Sequence, residues 1–496
     1  MFFNQIKIEM KKILQPLLFI GVLLLFDTAA VSQTVSEKDA RKVAGSFLNY
    51  RSSSHQVEAI ESVYDADDSI AHVVHLSPTG FILVSNNRLV SPVIAYSFES
   101  NWHIGGEEEI IFQTLMIADL RCKMNYPDIS ATGIQKVDQL WSDYLSGNLQ
   151  RERFEQWPPE GTTPTGGWLE ANWTQNAPYN TMCPIDPNTH QRGLAGCPAV
   201  AMAMIVNYLK EINGTRLNDG DDYYHNFGAN NKFWIDNDWQ AHGFPYFDSL
   251  NLYLDTIEYN YQQQKPIGAM QKAALNFACG TALKQVYSSS VSGTYGMSQA
   301  GVAYQRFGFE DSRLVLSPDT LENANLAENI KNGLIAHLGL VDPGVTVGHN
   351  VVVDGYNTDE FFHFNFGWGG SANGWYTMPP LSAPYNLTVI EGIVLDIFKG
   401  SSVGINQQFP VNRGDDASIQ YFGNIFQIDL SEPKNGVLDV DFISPTGQVL
   451  HRTKILTTQG QHRYEINAPV LNTGLLLITL TDNQELFLSK KLVIIN

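Results

Sequence analysis

The stretch Gly193-Leu-Ala-Gly-Cys-Pro-Ala-Val-Ala-Met-Ala-Met-Ile-Val-Asn-Tyr-Leu209 decides how the rest of the chain is read. From Ala199 to Leu209 nearly every residue is small or apolar, which predicts a helix buried on almost all sides. Pro198 suits a first helical turn, where its missing N–H costs nothing, and Gly196 permits a bend that a Cβ would resist. Cys197 is therefore expected at the N-terminus of a buried helix. Unpaired amides and the helix dipole favour an anion there, which predicts a lowered thiol pKa and a thiolate nucleophile. The alternative is an inert core cysteine, the reading that suits Cys279 within its helical run over 273–279.

A thiolate nucleophile needs a base that holds the proton and passes it to the leaving amine. The segment from Trp168 to Lys399 holds His190, His225, His242, His337, His349 and His363. His349 follows Val347-Gly348 and opens Asn-Val-Val-Val-Asp-Gly, the start of a buried strand on which His349, Val351 and Val353 share a face. Asn365 lies in Glu360-Phe-Phe-His-Phe-Asn-Phe366, just ahead of Gly367-Trp-Gly-Gly370. A buried Asn must find partners, and one that accepts from an imidazole would fix its orientation. Phe366 and Trp368 could shield that bond from water. Acyl transfer also needs donors to a developing oxyanion, and the Cys197 amide and Gln175 are the candidates. Taken singly, a lone His is more often structural and Gln175 reads as a surface residue.

Four blocks change that weighting: Trp173-Thr-Gln-Asn-Ala-Pro-Tyr-Asn, Gly196-Cys-Pro-Ala-Val-Ala-Met-Ala, Gly348-His-Asn-Val-Val-Val-Asp-Gly, and Phe364-Asn-Phe-Gly-Trp-Gly-Gly. In this order they resemble the streptopain-type cysteine peptidases of the wider papain-like group. The resemblance implies a papain-like α+β fold with two subdomains and endopeptidase activity. It makes Cys197 the nucleophile, His349 the general base and acid, Gln175 an oxyanion donor, and Asn365 with Phe366 the pair that orients and shields the histidine. Phe366 stands where the family has Trp, so an indole N–H is lost, and Pro198 replaces a residue that is usually β-branched. The family favours a bulky apolar side chain just before the cleaved residue, and the loops 288–293 and 345–348, with Val347 and Gly348, could line such a pocket.

The surrounding chain of 496 residues divides into several units. Residues 1–32 read as a signal peptide: Met10-Lys11-Lys12, an apolar run from Leu17 to Phe26, then Ala30-Val31-Ser32. This predicts export. Residues 33–150 read as a small α+β domain, with a helix over 36–50 capped by Ser36, strands over 71–76, 80–84 and 90–96, and a helix over 111–124. They resemble the inhibitory prodomain of these enzymes, which implies a zymogen. Residues 151–167, rich in Pro, Gly and Thr, are expected to form an exposed activation linker. Residues 168–399 form the peptidase segment. Residues 400–496 predict a small β-sandwich; Ser444-Pro-Thr-Gly-Gln-Val-Leu, Leu471-Asn-Thr-Gly-Leu and Lys490-Lys-Leu-Val-Ile-Ile-Asn resemble a type IX secretion sorting domain, implying a secretion-machinery partner.

Composition narrows the functions. Apolar residues at 44 %, with 11 % aromatics, can fill several cores. A formal charge of −20 excludes nucleic acid as the expected partner. The partners expected instead are protein or peptide substrates and the chain's own prodomain. Cys122, Cys183, Cys197 and Cys279 show no zinc spacing, and a Cys183–Cys279 bridge stays open. No metal or organic cofactor is expected. Two other functions share these residues: an amidase or transamidase acting on cell-wall peptides, and a surface adhesin on a degenerate peptidase scaffold.

Overall fold

The computed structural model describes residues 34–128, 130–150, 154–316, 320–378, 389–399 and, towards the C-terminus, 417–422, 425–430, 436–443, 449–467, 474–482 and 485–494. The expected signal peptide lies outside them. Among the described residues no helix is long and apolar enough to cross a membrane.

The N-terminal domain opens with α1 (Glu37–Tyr50), whose Ala40, Val43, Ala44, Phe47 and Leu48 are buried along one face. Ser36 caps it by accepting a hydrogen bond from the Asp39 amide at 3.1 Å. An antiparallel meander follows: β1 (Gln56–Asp65), β2 (Asp68–Ser77), β3 (Phe81–Ser85) and β4 (Val93–Ser97). Then come α2 (Glu107–Asn125) and α3 (Ala131–Ser146). The α1 and α3 helices pack on one face of the meander, and Phe112, Leu115 and Leu120 of α2 join the core on the other.

After β5 (Gln156–Trp157), the first helix of the second unit is the buried α4 (Cys197–Leu209). Residues 198–206 of α4 are all buried, as their composition predicts. A hairpin, β6 (Tyr223–Asn226) and β7 (Lys232–Ile235), leads to α5 (Phe247–Gln262), α6 (Ala269–Ala282) and α7 (Ser298–Arg306), which share a core with α4. The remainder is β8 (Arg313–Leu316), α8 (Thr320–Lys331), β9 (Ala336–Val341), β10 (Gly348–Asn357), β11 (Phe361–Asn365), β12 (Gly374–Thr377) and β13 (Ile390–Leu395).

One sheet runs through both units, in the order β1-β2-β3-β4-β12-β11-β10-β9-β13-β8. The join is β4 on β12, with Tyr96 opposite Trp375 and Ala95 opposite Tyr376. Tyr96 is fully buried there between Phe47 of α1 at 4.7 Å and Phe361 of β11 at 5.2 Å, and it accepts from the Asn357 amide at 3.1 Å. The leading domain thus extends the sheet of the second unit as well as covering it.

The linker is less free than its composition suggests. Gln156 and Trp157 pair with Asn357 and Tyr356 of β10, and buried Arg51 bonds Gln156 at 3.0 Å and Glu160 at 2.5 Å. Thr165 and Gly167 are buried again, because Gly167 lies where any Cβ would meet the Asp354 carboxylate at 2.2 Å. Only residues 159–162 and 164 are exposed in its second half.

The C-terminal unit forms the expected two-sheet arrangement. One sheet holds β14 (Ala417–Phe422), β15 (Ile425–Leu430) and β18 (Arg463–Asn467). The other holds β16 (Gly436–Ile443), β17 (Val449–Thr457), β19 (Gly474–Asp482) and β20 (Glu485–Ile494). Ile419, Phe426 and Ile428 of the first share a core with Val440, Phe442 and Ile478 of the second.

Removing the Tyr96 ring should open a cavity across the domain join. Tyr96→Ala is expected to destabilise the full-length chain by about 3–5 kcal/mol, read as a lowered urea midpoint in a Cys197→Ala background. An unchanged midpoint would mean the two units do not stabilise each other through this strand pair.

Candidate active site

Gly196 makes the turn into α4 with φ at +82°, a region that residues with a Cβ avoid. A Cβ here would also come within 2.5 Å of the Gln285 carboxamide, whose Nε2 donates to the Ala195 carbonyl at 2.6 Å. The turn delivers Cys197 to the first position of α4, as expected, and leaves it partly buried. Gln175 is buried rather than superficial, and its carbonyl accepts from the Ala195 amide at 2.8 Å. The loop 288–293 is tied to the same turn, because the Ser288 carbonyl accepts from Leu194 at 3.0 Å.

The thiol pKa departs from expectation. Burial pushes Cys197 up to about 11, and hydrogen bonds from Asn350 oppose that only in part. Desolvation therefore outweighs the helix terminus in this state, and the sulfur is a thiol at neutral pH. The other three cysteines are buried, and all four are free, so Cys183 and Cys279 form no bridge.

His349 opens β10, and strand alternation governs where it points. Val351 and Val353 face the core shared with α2, whereas Val352 faces the core built on α4. His349 lies with the first set, and Asn350 takes the face towards α4. Asn350 Nδ2 accordingly points at the Cys197 sulfur at 4.0 Å. Among the described residues no hydrogen bond joins Cys197 to His349.

The His349 ring is instead stacked on Trp368, with centroids 4.3 Å apart, and lies parallel to Phe366 at 6.2 Å. Its Nε2 is 2.8 Å from the Phe366 carbonyl. A carbonyl only accepts, so Nε2 carries the proton and Nδ1 keeps its lone pair. Burial pushes the His349 pKa down to about 4, partly offset by that carbonyl, so the ring is neutral at neutral pH. Phe112 of α2 stands edge-on to Phe366 at 5.5 Å and to Trp368 at 6.2 Å, closing the aromatic cage from the leading domain.

Asn365 is fully buried but does not orient His349 in this state. Its Oδ1 accepts from Gly367 at 3.0 Å and its Nδ2 donates to Ala171 at 3.0 Å. The expected His–Asn bond is thus replaced by one to the neighbouring carbonyl, because the histidine lies in the aromatic cage. Of the proposed pocket residues, Val347 packs on the core beneath α2, and Gly348 is exposed beside Val345, which is 79 % exposed.

Sequence reasoning missed a polar chain behind Cys197. His337 Nε2 is 2.8 Å from Asn350 Oδ1, and the Tyr304 hydroxyl is 3.1 Å from His337 Nδ1. Because an amide oxygen only accepts, Nε2 must donate, so Tyr304 donates to Nδ1. This fixes the Asn350 amide with its N–H groups towards sulfur. The available signal was alternation itself: if His349 faces one side of β10, Asn350 must face the other. His363 is a separate case, bonded to Asp354 at 2.6 Å in a fully buried pair that also holds the Leu169 amide.

Two regions of the chain are similar to known proteins. Residues 173–376 match the Peptidase C10 family, and residues 32–111 match the Spi protease inhibitor family. Streptopain from Streptococcus pyogenes is 22 % identical over 334 residues, covering 63 % of this chain and 74 % of that protein. The thiol protease/hemagglutinin PrtT of Porphyromonas gingivalis is 23 % identical over 204 residues, 41 % of this chain and 22 % of its own length. A fragment of Prevotella intermedia prointerpain A superposes with a TM-score of 0.47 at 18 % identity, covering 69 % of this chain and 99 % of the fragment.

The Gly196 turn gives a direct test. Gly196→Ala is expected to cost about 1–3 kcal/mol from the left-handed backbone alone. The clash with Gln285 should also displace Cys197 and lower peptide hydrolysis by the processed enzyme at least tenfold, on the order of a 1 Å misplacement. Full activity in the variant would show that the turn does not fix the position of Cys197.

Proposed function

We propose, from the premise that this chain is a cysteine-type peptidase of the C10 family made as a proenzyme, that Cys197 is its nucleophile and His349 its base, held apart until the leading domain is removed. The observation that carries this reading is the aromatic cage: His349 lies between the Phe366 carbonyl and Trp368, and Phe112 of the inhibitor-like domain packs on both aromatic rings. Two further features support it. The His349 tautomer, protonated on Nε2, leaves Nδ1 ready to take a thiol proton. Among the described residues the buried Trp368 indole N–H has no hydrogen-bond partner, a cost of roughly 1–3 kcal/mol that a second arrangement of this loop could relieve.

On this reading, loss of Phe112 frees His349 to swing to the α4 side of β10. Its Nδ1 then accepts the Cys197 proton, and its Nε2–H, which stays on the ring, turns from the Phe366 carbonyl to donate to the adjacent Asn365 Oδ1. The imidazolium beside sulfur would lower the thiol pKa, and the thiolate attacks the scissile carbonyl. The oxyanion that forms is held by the Cys197 amide and Gln175. His349 returns its proton to the leaving amine, and water hydrolyses the acyl-enzyme.

Cleavage between the units falls within 151–167 on this reading, and the exposed run 159–162 is the favoured stretch. We also propose export by the N-terminal signal and recognition of the C-terminal sandwich by a secretion apparatus. Support for these comes from the Met10–Ser32 pattern and from the terminal motifs at 444–450 and 490–496.

The assignment is tested with purified proenzyme followed by mass. Cys197→Ala and His349→Ala should each abolish self-cleavage and peptide hydrolysis, by about 10³-fold or more. Substantial turnover in either variant would refute it. Phe112→Ala, which removes only the cage wall, should instead speed processing; slower or unchanged processing would argue against the latch.

Acid should weaken the latent form. His349 and His337 are each held near pKa 4 against an ordinary 6.5, so the folded chain binds fewer protons than the unfolded chain between those values. Their stabilisation is complete above pH 6.5 and is lost as pH falls towards 4, up to about 3 kcal/mol each. The urea midpoint of the Cys197→Ala chain should fall between pH 7 and 4.5, and less steeply once His349 is replaced by Leu. Equal slopes would show that His349 is not buried neutral.

A further inference from the structure

The leading domain carries a cluster that its inhibitory role does not use. Glu61 of β1 and His75 of β2 lie diagonally across a strand pair, since His75 is opposite Ala59 and Glu61 is opposite Val73. His103 reaches the same place from the segment between β4 and α2. His75 Nε2 at 3.0 Å and His103 Nε2 at 2.9 Å approach a single oxygen, Glu61 Oε2. One donor atom from each residue lies within 4.8 Å of the other two.

The far side of His103 is fixed as well. Its Nδ1 is 3.1 Å from Glu109 Oε1. The other Glu109 oxygen accepts from the amides of Ile104 at 2.7 Å and Gly105 at 3.1 Å, while Gln113 donates to Oε1 at 2.5 Å. This is how a carboxylate orients a metal-bound imidazole: it takes the Nδ1 proton and leaves the Nε2 lone pair forward. In neutral His103 that lone pair meets the Glu61 carboxylate; a proton on Nε2, which the two flanking carboxylates favour against the effect of burial, relieves the repulsion, and a metal ion in the proton's place would do the same. The three side chains are accessible, at 24 % for His75, 50 % for His103 and 48 % for Glu61, so an ion and a water can enter.

We propose that Glu61, His75 and His103 form a divalent zinc-type metal site in the inhibitory domain, with water in the remaining position. Two imidazoles and one carboxylate suit Zn²⁺ and disfavour Ca²⁺ and Mg²⁺, which prefer oxygen ligands. Bound metal pins the β1–β2 pair to the segment that leads into α2, the helix bearing Phe112. It therefore stabilises the folded inhibitory domain by mass action. The site does not depend on which residues carry catalysis.

The test uses the untagged full-length Cys197→Ala chain, which removes the accessible thiol and any self-cleavage. Equilibrium dialysis against Zn²⁺ should give one ion per chain, and saturating Zn²⁺ should raise the melting temperature by about 5 °C, with Ca²⁺ and Mg²⁺ inert. His75→Ala and His103→Ala should each abolish uptake and the shift while keeping the metal-free circular dichroism spectrum. Glu61→Gln, which preserves shape, serves if a histidine variant fails to fold, and should weaken binding at least tenfold. No uptake by the parent chain, or equal uptake by parent and variants, overturns the proposal.

Discussion

The pairing of β4 with β12 is the contact on which the rest of the arrangement depends. An unpaired strand edge is an open row of donors and acceptors, and here the leading domain supplies the partner. Because the sheet is continuous, α2 is carried across the same face that β10 and β11 present, and Phe112 arrives at the aromatic cluster of Phe366 and Trp368. Latency, as proposed, rests on this sheet extension and on the Phe112 contact it brings.

The second constraint is the two-residue period of β10. Adjacent residues must face opposite cores, so the strand offers either His349 or Asn350 to Cys197, not both. In the present arrangement it offers Asn350, held by His337 and Tyr304, and it retains His349 among aromatics where burial keeps the ring neutral. Both candidate catalytic groups are therefore in their least reactive protonation states, a thiol and an uncharged imidazole, for the same reason: each is desolvated away from its natural partner.

Much of this was legible in the sequence. The Cys197–Leu209 helix, the α1 face with its Ser36 cap and the two-sheet C-terminal unit follow from composition and period. The strand β1 was not legible, because register shifts near Val57 and Val63 break its alternation. The helix α3 carried usable signals in Ser130, which accepts from Gly133, and Gly147, which closes the helix in the left-handed region. The sequence named candidate site residues but not their geometry. Nothing local to Cys197 or His349 reports that Phe112, more than 80 residues away in sequence, packs on the aromatic rings that surround the histidine. The linker is irregular, as its Pro, Gly and Thr content says, but less exposed than expected, because Arg51 and Asp354, distant in sequence, close over Gln156, Glu160 and Gly167.

The rate at which iodoacetamide alkylates Cys197 at pH 7 tests latency by separation most directly. It is read by intact mass on the uncut chain, and again after a protease has removed the leading domain. With the thiol pKa near 11 in the uncut form and the histidine returned to sulfur in the cut form, the rate should rise by about 100-fold or more. Equal rates before and after removal would contradict it, because they would mean the leading domain leaves the chemistry of Cys197 untouched.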